Sequence, residues 1–484
     1  MPQTTQLAVI GAGPGGYAAA FYAADLGMQV ALIDPSPNPG GVCLFRGCMP
    51  SKALLHVAKV LTEAKHAEAW GVTFGSPKID VGKLRAFKTK VVNQLTGGLG
   101  QLTKQRKIKY IQGTASFVDA RTLEITPADG TGAAGKELLT FEHAIIAIGS
   151  HPTKVPGLWI DSDRLMDSTT ALEIPDIPKT LLVIGGGYIG LELGTVYASL
   201  GTKVTVVEMT DGLLPGADRD LVNVLARRVD AMCEAVLLNT KVVSMKEQKN
   251  GIAVTFESSA PAGANPVTLD KKEQVFDRVL MAVGRRPNQV PGIEKTGVEV
   301  NERGFIVVNE ARQTSVPHIF AIGDIVGEPM LAHKASHEGR VAVEAIAGQK
   351  AAFEPLAIPA VVFTDPELAW AGLTEAEAQK QGREIAVARF PWGASGRSLT
   401  LDRTDGLTKL ILDPKTERIL GVGIVGPGAG ELIAEGVLAV EMGANATDLK
   451  MSIHPHPTLS ETLMEAAEVF YGHSTHVYRP RRKH

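Results

Sequence analysis

One pattern of apolar and glycine residues occurs twice in this chain, and the repeat constrains the fold more than any other feature. Residues 7–34 align without a gap to residues 181–208, which lie 174 positions further on. Each copy has an apolar run, a glycine cluster, a segment of helix length and a second apolar run that ends in an acidic residue. This order predicts strand, turn, helix and strand, so we expect two βαβ units.

Three glycines in each copy follow the spacing G-x-G-x-x-G. They are Gly11, Gly13 and Gly16 in the first copy, followed by Asp34, and Gly185, Gly187 and Gly190 in the second, followed by Glu208. The first glycine permits a tight turn, the second lets a pyrophosphate approach the helix N-terminus, and the third lets helix and strand pack closely. The acid accepts a hydrogen bond from a ribose hydroxyl. One such motif also fits a glycine-rich turn without a ligand, but two complete copies predict that two nucleotides bind.

Apolar runs later in the chain predict further strands for the two nucleotide-binding sheets and a third domain. The runs that end at Gly149 and Gly284 each have a proline three residues beyond the glycine, which indicates a strand returning to each nucleotide-binding sheet. The run 318–321 leads to Asp324, whose carboxylate is expected to accept from a ligand hydroxyl, with a plain helix cap as the alternative. Beyond about residue 350, strand-like runs at 360–363 and 408–412 and a helix near 430–442 indicate a third, α+β domain.

Composition excludes several classes of protein. The 484 residues are 44% hydrophobic with a formal net charge of −3, which excludes a disordered chain and leads us to expect no nucleic-acid partner. Residues 181–201 are apolar but contain Glu192 and six glycines, so we expect no membrane span. The first six residues are polar and Leu7 already begins a strand-like run, so we expect no signal peptide and a cytoplasmic location.

Two of the three cysteines lie close together directly after the first βαβ unit. Cys43 and Cys48 are five positions apart in the segment GGVCLFRGCMPSK, and a helical run begins near Lys52. We therefore expect both thiols at a helix start, where the helix dipole and free N–H groups favour a thiolate suited to reversible disulfide chemistry. No metal site is expected, because zinc needs more ligands and Cys233 lies far away in an apolar segment.

Four segments resemble the flavin-dependent pyridine nucleotide-disulfide oxidoreductases, and among these the dihydrolipoamide dehydrogenase family. The residues GGVCLFRGCMPSKALLH resemble that family's redox segment, GGGYIGLELG its nicotinamide site, PHIFAIGDIVGEPMLAHKASHEG its second flavin segment and HPHPTLSE its acid–base motif. The resemblance covers essentially the whole chain. It implies an α/β fold with two Rossmann-like dinucleotide-binding domains, for FAD and NAD, and a C-terminal α+β dimerisation domain. The implied division is 1–150 for the FAD-binding domain with its redox disulfide, 151–277 for the NAD-binding domain, 278–350 for the return to the FAD and central domain, and 351–484 for the dimerisation domain.

The resemblance also implies roles for individual residues at the cofactors. It places FAD contacts at Gly11, Gly13, Gly16, Asp34, Lys52 and Asp324, and contacts of the second nucleotide site at Gly185, Gly187, Gly190, Glu208 and Gly284. Lys52 and Glu192 resemble the family's ion pair beside the flavin ring. An unpaired carboxylate at that position would be costly to bury, which favours the pair over an accidental polar residue.

His456 and Glu461 match the family's catalytic base and the carboxylate that orients it. A histidine has a pKa suited to taking a thiol proton near neutrality, and a glutamate can fix its tautomer. From the residues alone His454 is an equal candidate, and only the resemblance favours His456. In the family the C-terminal domain forms a twofold dimer and supplies this histidine to the partner's active site, so the resemblance implies a homodimer that is obligatory for catalysis.

The implied reaction reoxidises protein-bound dihydrolipoyl groups and reduces NAD⁺ to NADH. A dihydrolipoyl thiol, deprotonated by His456, attacks Cys43 of a Cys43–Cys48 disulfide, and electrons then pass from Cys48 through FAD to NAD⁺. The implied partners are the lipoyl domains of 2-oxo acid dehydrogenase or glycine cleavage complexes.

Two alternatives and one departure from the family pattern accompany this interpretation. A glutathione-type reductase shares the fold and the disulfide but uses NADPH, and the acidic segment 208–211 disfavours a 2′-phosphate. A binding or scaffold subunit is disfavoured by the intact set of reacting residues. Arg46 in the redox loop adds positive charge beside the disulfide, and we predict that it raises the thiolate fraction.

Overall fold

The first βαβ unit forms where the repeat predicts it and begins a largely parallel sheet. The computed structural model describes residues 3–128, 135, 137–261 and 272–478. The N-terminal elements are β1 (Gln3–Ile10), α1 (Pro14–Asp25), β2 (Val30–Asp34), α2 (Gly41–Arg46), α3 (Cys48–His66), a 3₁₀ turn (Ala67–Trp70), α4 (Val81–Gln105), β3 (Lys109–Asp119), β4 (Thr122–Pro127) and β5 (Glu137–Ile146). Strand β1 pairs in parallel with β2 and β5, and β2 with β3, which brings the loop after β1 to the carboxyl edge of the sheet.

The second copy forms a second parallel sheet. The next elements are β6 (Ser150–Pro152), β7 (Leu165–Met166), α5 (Ser168–Ala171), β8 (Thr180–Ile184), α6 (Tyr188–Ser199), β9 (Lys203–Val207), α7 (Arg219–Met232), β10 (Ala235–Leu237), β11 (Thr240–Gln248), β12 (Gly251–Ser258), β13 (Glu273–Phe276), β14 (Arg278–Met281) and β15 (Arg285–Pro287). The parallel sheet has the order β10-β9-β8-β14-β7, and β11-β12-β13 form an antiparallel sheet beside it. Because β14 pairs with β8, the second unit runs past residue 277, the boundary expected from the sequence.

The chain then returns to the first sheet. A 3₁₀ turn (Ile293–Lys295) precedes β16 (Ile319–Ala321), a second 3₁₀ turn (Gly323–Val326) and α8 (Ala332–Ile346). Strand β16 pairs in parallel with β5, so the segment that contains Asp324 ends beside the first glycine loop. Helix α8 packs on α1 so closely that a Cβ at Gly339 would lie 2.9 Å from the Gly15 carbonyl oxygen.

The C-terminal part is an antiparallel sheet with helices on one face. Its elements are β17 (Ala360–Val362), β18 (Glu367–Gly372), α9 (Glu375–Gln381), β19 (Ala386–Pro391), a 3₁₀ turn (Trp392–Ala394), α10 (Gly396–Thr400), β20 (Leu407–Leu412), β21 (Ile419–Gly426), α11 (Ala429–Glu441), α12 (Ala446–Met451) and α13 (Glu461–Tyr471). Helices α11 and α13 cover the sheet, whose strand order is β17-β18-β21-β20-β19. Helix α7 of the second unit also packs on it, since a Cβ at Gly423 would lie 2.5 Å from Leu221 Cδ1.

The predicted fold class, α/β with two dinucleotide-binding units and a C-terminal α+β part, is confirmed. The strands expected at 360–363 and 408–412 and the helix expected near 430–442 are β17, β20 and α11. No helix within the described ranges is long and apolar enough to cross a membrane.

Candidate functional site

The glycines of the first loop have the three different environments that the motif requires. Gly11 has φ +96°, and a Cβ there would lie 2.5 Å from the Ala147 carbonyl oxygen. A Cβ on Gly16 would lie 1.8 Å from the Gly11 oxygen, so helix α1 approaches the strand end closely. A Cβ on Gly13 would meet only Gly41 Cα, at 4.0 Å, which leaves this part of the backbone open to a ligand. The loop therefore has room for a phosphate at the start of α1.

The second loop repeats this geometry. Gly185 has φ +108°, and its Cβ would lie 2.5 Å from the Ala282 oxygen. A Cβ on Gly190 would lie 2.4 Å from the Gly185 oxygen, whereas nothing lies within 4 Å of a Cβ on Gly187. The start of α6 is thus a second open helix N-terminus of the same form.

The two acids at the ends of the second strands hold the glycine loops. Asp34 accepts from the Ala12 N–H at 2.8 Å, and Glu208 accepts from the Gly186 N–H at 2.7 Å. The other oxygen of Glu208 accepts from both the N–H and the hydroxyl of Thr210, each at 2.8 Å. Each carboxylate therefore fastens the end of its second strand to the loop, a contact that the motif alone did not indicate.

A single cavity of about 470 Å³ joins the first glycine loop to the cysteines. It extends from Gly13 and Asp34, past Ser150 and Asp324, to Cys43, Cys48 and Lys52. Tyr188, Glu192 and Arg285 of the second unit line the same cavity. The volume is within the range of small-molecule and cofactor sites.

The two cysteines lie on different helices and interact directly. Cys43 lies inside the short helix α2, whereas Cys48 is the first residue of α3, so only Cys48 has the helix-start position expected for both. Both are free thiols in this structure. A hydrogen bond from the Cys43 thiol, together with the positive charge of Lys52, lowers the pKa of Cys48 to about 7, against the opposing effects of burial and of Glu192. The same hydrogen bond and burial raise the pKa of Cys43, so the pair is arranged as one thiol and one thiolate.

Lys52 forms the expected ion pair with Glu192. The Lys52 ammonium lies 2.8 Å from Glu192 Oε2 and 4.4 Å from the centre of the Phe363 ring. Glu192 is 3% exposed and also accepts from the Ser51 hydroxyl and the Phe363 N–H, both at 3.0 Å. The buried carboxylate is thus fully paired, and it joins helix α3 to helix α6 and to the C-terminal part of the chain. Ser51 and Phe363 carried no sequence signal for this contact.

Asp324 is part of a second polar group on the cavity wall. Its carboxylate accepts from the Ser150 hydroxyl, which in turn accepts from Arg285 Nε at 2.8 Å. Ser150 and Arg285 each directly follow the glycine, Gly149 or Gly284, that ends a returning strand, and this symmetry is the signal that could have identified them. Gly284 has φ +106° and open space around its Cβ position. Arg46 lines the cavity as well, but the cation that acts on the Cys48 thiol is Lys52.

The C-terminal histidines differ clearly in their surroundings. His456 Nδ1 lies 2.9 Å from Glu461 Oε1, and its side chain is 74% exposed. Burial alone raises the pKa of Glu461, but the Thr458 N–H and His456 outweigh it and lower that pKa, which keeps the carboxylate ionised. His454 is 7% exposed, with one ring nitrogen 2.6 Å from Glu435 and the other 2.9 Å from the Ser452 oxygen. Of these two histidines, only His456 combines a carboxylate partner with an exposed ring, the combination expected of a base that meets an external substrate.

The His456–Glu461 pair is not part of the cavity wall that holds the cysteines of the same chain. Neither residue is among those that line it, although residues from both nucleotide-binding units do. Among the described residues the structure therefore brings together the cysteines, the ion pair and the first glycine loop, but leaves the exposed histidine on a different surface of the C-terminal part.

Comparison with known proteins agrees with these features. Residues 5–339 match the family model for pyridine nucleotide-disulphide oxidoreductases, and residues 358–467 match the model for the dimerisation domain of that family. The dihydrolipoyl dehydrogenase of Vibrio cholerae is 50% identical, with 96% of each chain covered. Those of Haemophilus influenzae (48% identical, 97% of this chain and 96% of the relative) and Bacillus subtilis (43% identical, 99% of each) are similar over the same extent.

Two solved structures share the whole architecture. The LpdA protein of Mycobacterium tuberculosis superposes with a TM-score of 0.85 at 26% identity, covering 96% of this chain and 99% of that one. The HOCl-induced flavoprotein disulfide reductase RclA of Escherichia coli, as its Cu(II) complex, has a TM-score of 0.83 at 28% identity, covering 97% and 100%. The chain belongs to the pyridine nucleotide-disulphide oxidoreductase family.

Proposed function

We propose that this chain is a dihydrolipoyl dehydrogenase, which oxidises dihydrolipoyl groups with NAD⁺. The observation that carries the proposal is one cavity in which an open glycine loop, a thiol–thiolate pair and the Lys52–Glu192 ion pair meet. The named relatives of similar length are dihydrolipoyl dehydrogenases.

The residues present fit FAD in the first site. Gly13 leaves backbone open at the N-terminus of α1, Asp34 lies at the end of β2, and the cavity continues from there to Cys48 and Lys52. Asp324 and Ser150 offer polar groups midway along the cavity. FAD held there would supply the acceptor for an electron pair from the reduced cysteines and the hydride donor for NAD⁺.

NAD⁺ fits the second site, at the open start of α6. Gly187 leaves room for the pyrophosphate, and Gly284 lies open at the end of the returning strand. Glu208 is fixed by Gly186 and Thr210, so its carboxylate has a defined position for a ribose hydroxyl. A 2′-phosphate there would meet a like charge, which favours NAD⁺ over NADP⁺.

The protein groups carry out the thiol chemistry. His456 takes the proton of one dihydrolipoyl thiol, with Glu461 stabilising the imidazolium. The resulting thiolate attacks Cys43 of the oxidised pair, the S–S bond breaks, and Cys48 leaves as a thiolate beside Lys52. The second dihydrolipoyl thiol closes the lipoyl disulfide and releases Cys43, which is protonated. The product is one thiol and one thiolate, the state favoured by the raised pKa of Cys43 and the lowered pKa of Cys48.

The remaining assignments belong to the same proposal. The dimerisation-domain match supports a homodimer in which the exposed His456 of one protomer serves the cysteines of the other. Lipoyl domains of 2-oxo acid dehydrogenase or glycine cleavage complexes would be the partners, and the cytoplasm the location.

The chain would divide into FAD-binding, NAD-binding, central and dimerisation domains near residues 150, 281 and 350, with the second boundary moved to the end of β14.

The direct test is NAD⁺ reduction by dihydrolipoamide with the purified holoenzyme, run beside NADP⁺ at equal concentration. We expect NADH formation, with NADP⁺ at least roughly tenfold slower because of the Glu208 charge. Glu208→Gln, which keeps an acceptor for Gly186 but removes the charge, should narrow that difference. A flavin-containing protein that reduces neither nucleotide would contradict the assignment, and reduction of oxidised glutathione by NADPH would favour the glutathione-type alternative.

A further inference from the structure

A second histidine–glutamate pair lies on the helix that carries Glu461. Glu465 is 4% exposed, and one of its oxygens is in contact with His476 Nδ1. The other oxygen accepts from the Ser474 hydroxyl at 2.5 Å. A buried carboxylate with a histidine partner repeats the arrangement of Glu461 and His456.

The two pairs are neighbours. Glu461 and Glu465 are four positions apart on α13, so their side chains lie on the same face, one turn from each other. The charge of His476 also reaches Glu461, where it contributes to the lowered pKa of that carboxyl. Glu468 holds the same C-terminal segment to the helix, because its carboxylate accepts from the Thr475 N–H at 3.2 Å.

The other charged groups around α13 are engaged elsewhere. On the sheet beneath, Thr408 faces the helix and bonds to Thr462, so the next residue, Lys409, points to the opposite face of the sheet, where it is paired with Asp218. Arg389 pairs with Asp220 on that same face. Lys450 of α12 and Glu417 both contact Tyr471, at the far end of the helix. Among the described residues, the acidic groups that act on this segment are Glu465, in contact with His476, Glu461, which feels the His476 charge, and Glu468, which binds the Thr475 N–H.

We propose that Glu465 and His476 form a positioning pair that balances the charge beside the His456–Glu461 dyad and so sets the proton affinity of the catalytic base. This inference rests on the proposed function and concerns the same site. Without a partner, Glu465 would place a second negative charge one helical turn from Glu461, and negative charge stabilises the imidazolium form of His456. The imidazole of His476, in contact with Glu465, offsets that charge, and the hydrogen bond from Thr475 to Glu468 keeps the segment in place.

The charge balance between Glu465 and His476 determines the direction in which each variant should shift the pH dependence of activity. The base must be neutral to accept a thiol proton, so activity falls on the acid side as His456 is protonated. His476→Gln leaves Glu465 uncompensated and should move the acid limb of the pH–kcat/KM profile upward by about half a pH unit, the size expected for one charge at this distance in a partly solvated site. Glu465→Gln removes the negative charge and should move the limb downward.

Two further variants separate charge from structure. His476→Lys retains a cation beside Glu465 and should keep the acid limb at the wild-type position. The double variant His476→Gln/Glu465→Gln removes both charges and should return the limb toward wild type. His473→Gln is the matched control, because His473 lies in the same segment but stacks on Tyr471, away from the dyad. This variant should leave the acid limb of the pH–kcat/KM profile unchanged.

The experiment measures the pH dependence of dihydrolipoamide oxidation by each holoenzyme and, separately, the titration of ¹³C-labelled His456 by NMR. Opposite shifts in the two single variants, with restoration in the lysine and double variants, would support the proposal. Loss of kcat in all variants with unmoved limbs would show a purely structural pair and overturn it. If the wild type failed to oxidise dihydrolipoamide, the proposed function would fail, yet the NMR titrations would still decide the role of the pair.

Discussion

At the residue scale, the chemistry depends on how the protein divides one proton between two cysteines. Cys43 and Cys48 have the same intrinsic acidity, but the hydrogen bond between them and the Lys52 charge beside Cys48 separate their pKa values. Lys52 in turn is held by Glu192, which is itself satisfied by Ser51 and Phe363. The acidity of one sulfur therefore depends on residues from three parts of the chain.

This arrangement predicts the effect of removing the cation. In Lys52→Met the Cys48 thiolate loses its positive neighbour while Glu192 keeps its negative charge, so the pKa of Cys48 should rise from about 7 toward that of an ordinary thiol. The pH dependence of Cys48 alkylation in the reduced enzyme, followed by peptide mass spectrometry, measures this shift. Lys59→Met on the same helix, where the lysine is 48% exposed and lies 3.9 Å from Glu63, is the matched control and should leave the alkylation profile unchanged. An unshifted profile in Lys52→Met would contradict the role of Lys52.

Residue types and spacing predicted which side chains react better than they predicted which neighbouring side chains contact them. The residues themselves indicated Cys43 and Cys48, because few residue types can perform this chemistry, whereas the C-terminal histidine came from the family resemblance and the residues alone indicated only a His-Pro loop. The sequence could not choose between His454 and His456 without the family resemblance, since both lie in the same His-Pro segment. In the structure the two differ in exposure, because His454 is 7% exposed and contacts Glu435 of α11, nineteen positions away, whereas His456 is 74% exposed, which favours His456 as the base.

At the scale of elements, each nucleotide site is the junction between a strand end and a helix start. The three glycines of a loop have distinct tasks, visible in what a side chain would meet at each position. A substitution at the second glycine should therefore act on the ligand, and one at the third should act on the fold.

The second loop allows both effects to be measured in one protein. Gly187→Ala places its methyl group in open space at the start of α6, so we expect normal flavin content and thermal stability with NAD⁺ bound at least about tenfold more weakly. Gly190→Ala would bring Cβ to 2.4 Å from the Gly185 oxygen, and we expect a stability loss of about 1–3 kcal/mol. NAD⁺ titration calorimetry and thermal unfolding distinguish the two. Equal stability losses, with NAD⁺ affinity unaltered in Gly187→Ala, would refute this division of tasks.

The repeat predicted the elements more completely than the contacts among them. Both βαβ units follow from apolar periodicity and turn residues, which are local signals. The short helix around Cys43 was not predicted, because its six residues have too little periodicity to distinguish it from a loop. The returning strand β16 has only three residues, and its place in the first sheet depends on pairing with β5 rather than on its own sequence.

At the scale of the whole molecule, a buried lysine joins the second unit to the C-terminal sheet. Lys409 is 1% exposed, and its ammonium lies 2.6 Å from Asp218, 2.7 Å from Asp220 and 2.9 Å from Glu375. Asp218 and Asp220 are at the start of α7, which follows the loop that holds Glu208. The three carboxylates could suggest a cation site, but the ammonium already occupies it.

Removal of this lysine should loosen the contact between the two units. Lys409→Met leaves the buried Asp218 without its cation and removes one of the two cations that Asp220 and Glu375 share with Arg389, and we expect the free energy of unfolding to fall by about 3–5 kcal/mol. The exposed Lys415, in the turn that follows the strand of Lys409, provides the control, because Lys415→Met should change stability by less than about 0.5 kcal/mol. Denaturant unfolding of both holoenzymes tests the difference. Equal stability of the two variants would mean that the ion cluster does not hold the units together.

Local sequence patterns did not predict the contacts between distant segments. Nothing in the local pattern around residues 52, 192 and 363 indicates that these positions meet, because their contact depends on how three units pack. The same holds for Lys409, whose burial follows from the docking of α7 on the C-terminal sheet. The family resemblance supplied the Lys52–Glu192 pair, but the acceptors and donors around it come only from the structure.

The proposed mechanism requires that the cysteines of one protomer work with His456 of the other. Mixing unfolded Cys43→Ser and His456→Gln chains and refolding them together with FAD gives hybrid dimers in which one site has both an intact cysteine pair and an intact histidine. We predict that each variant alone is nearly inactive in dihydrolipoamide oxidation, and that the mixture recovers about a quarter of wild-type activity, since half of the dimers are hybrids with one working site of two. No recovery above the separate variants, with wild-type protein regaining activity under the same refolding conditions, would contradict the claim.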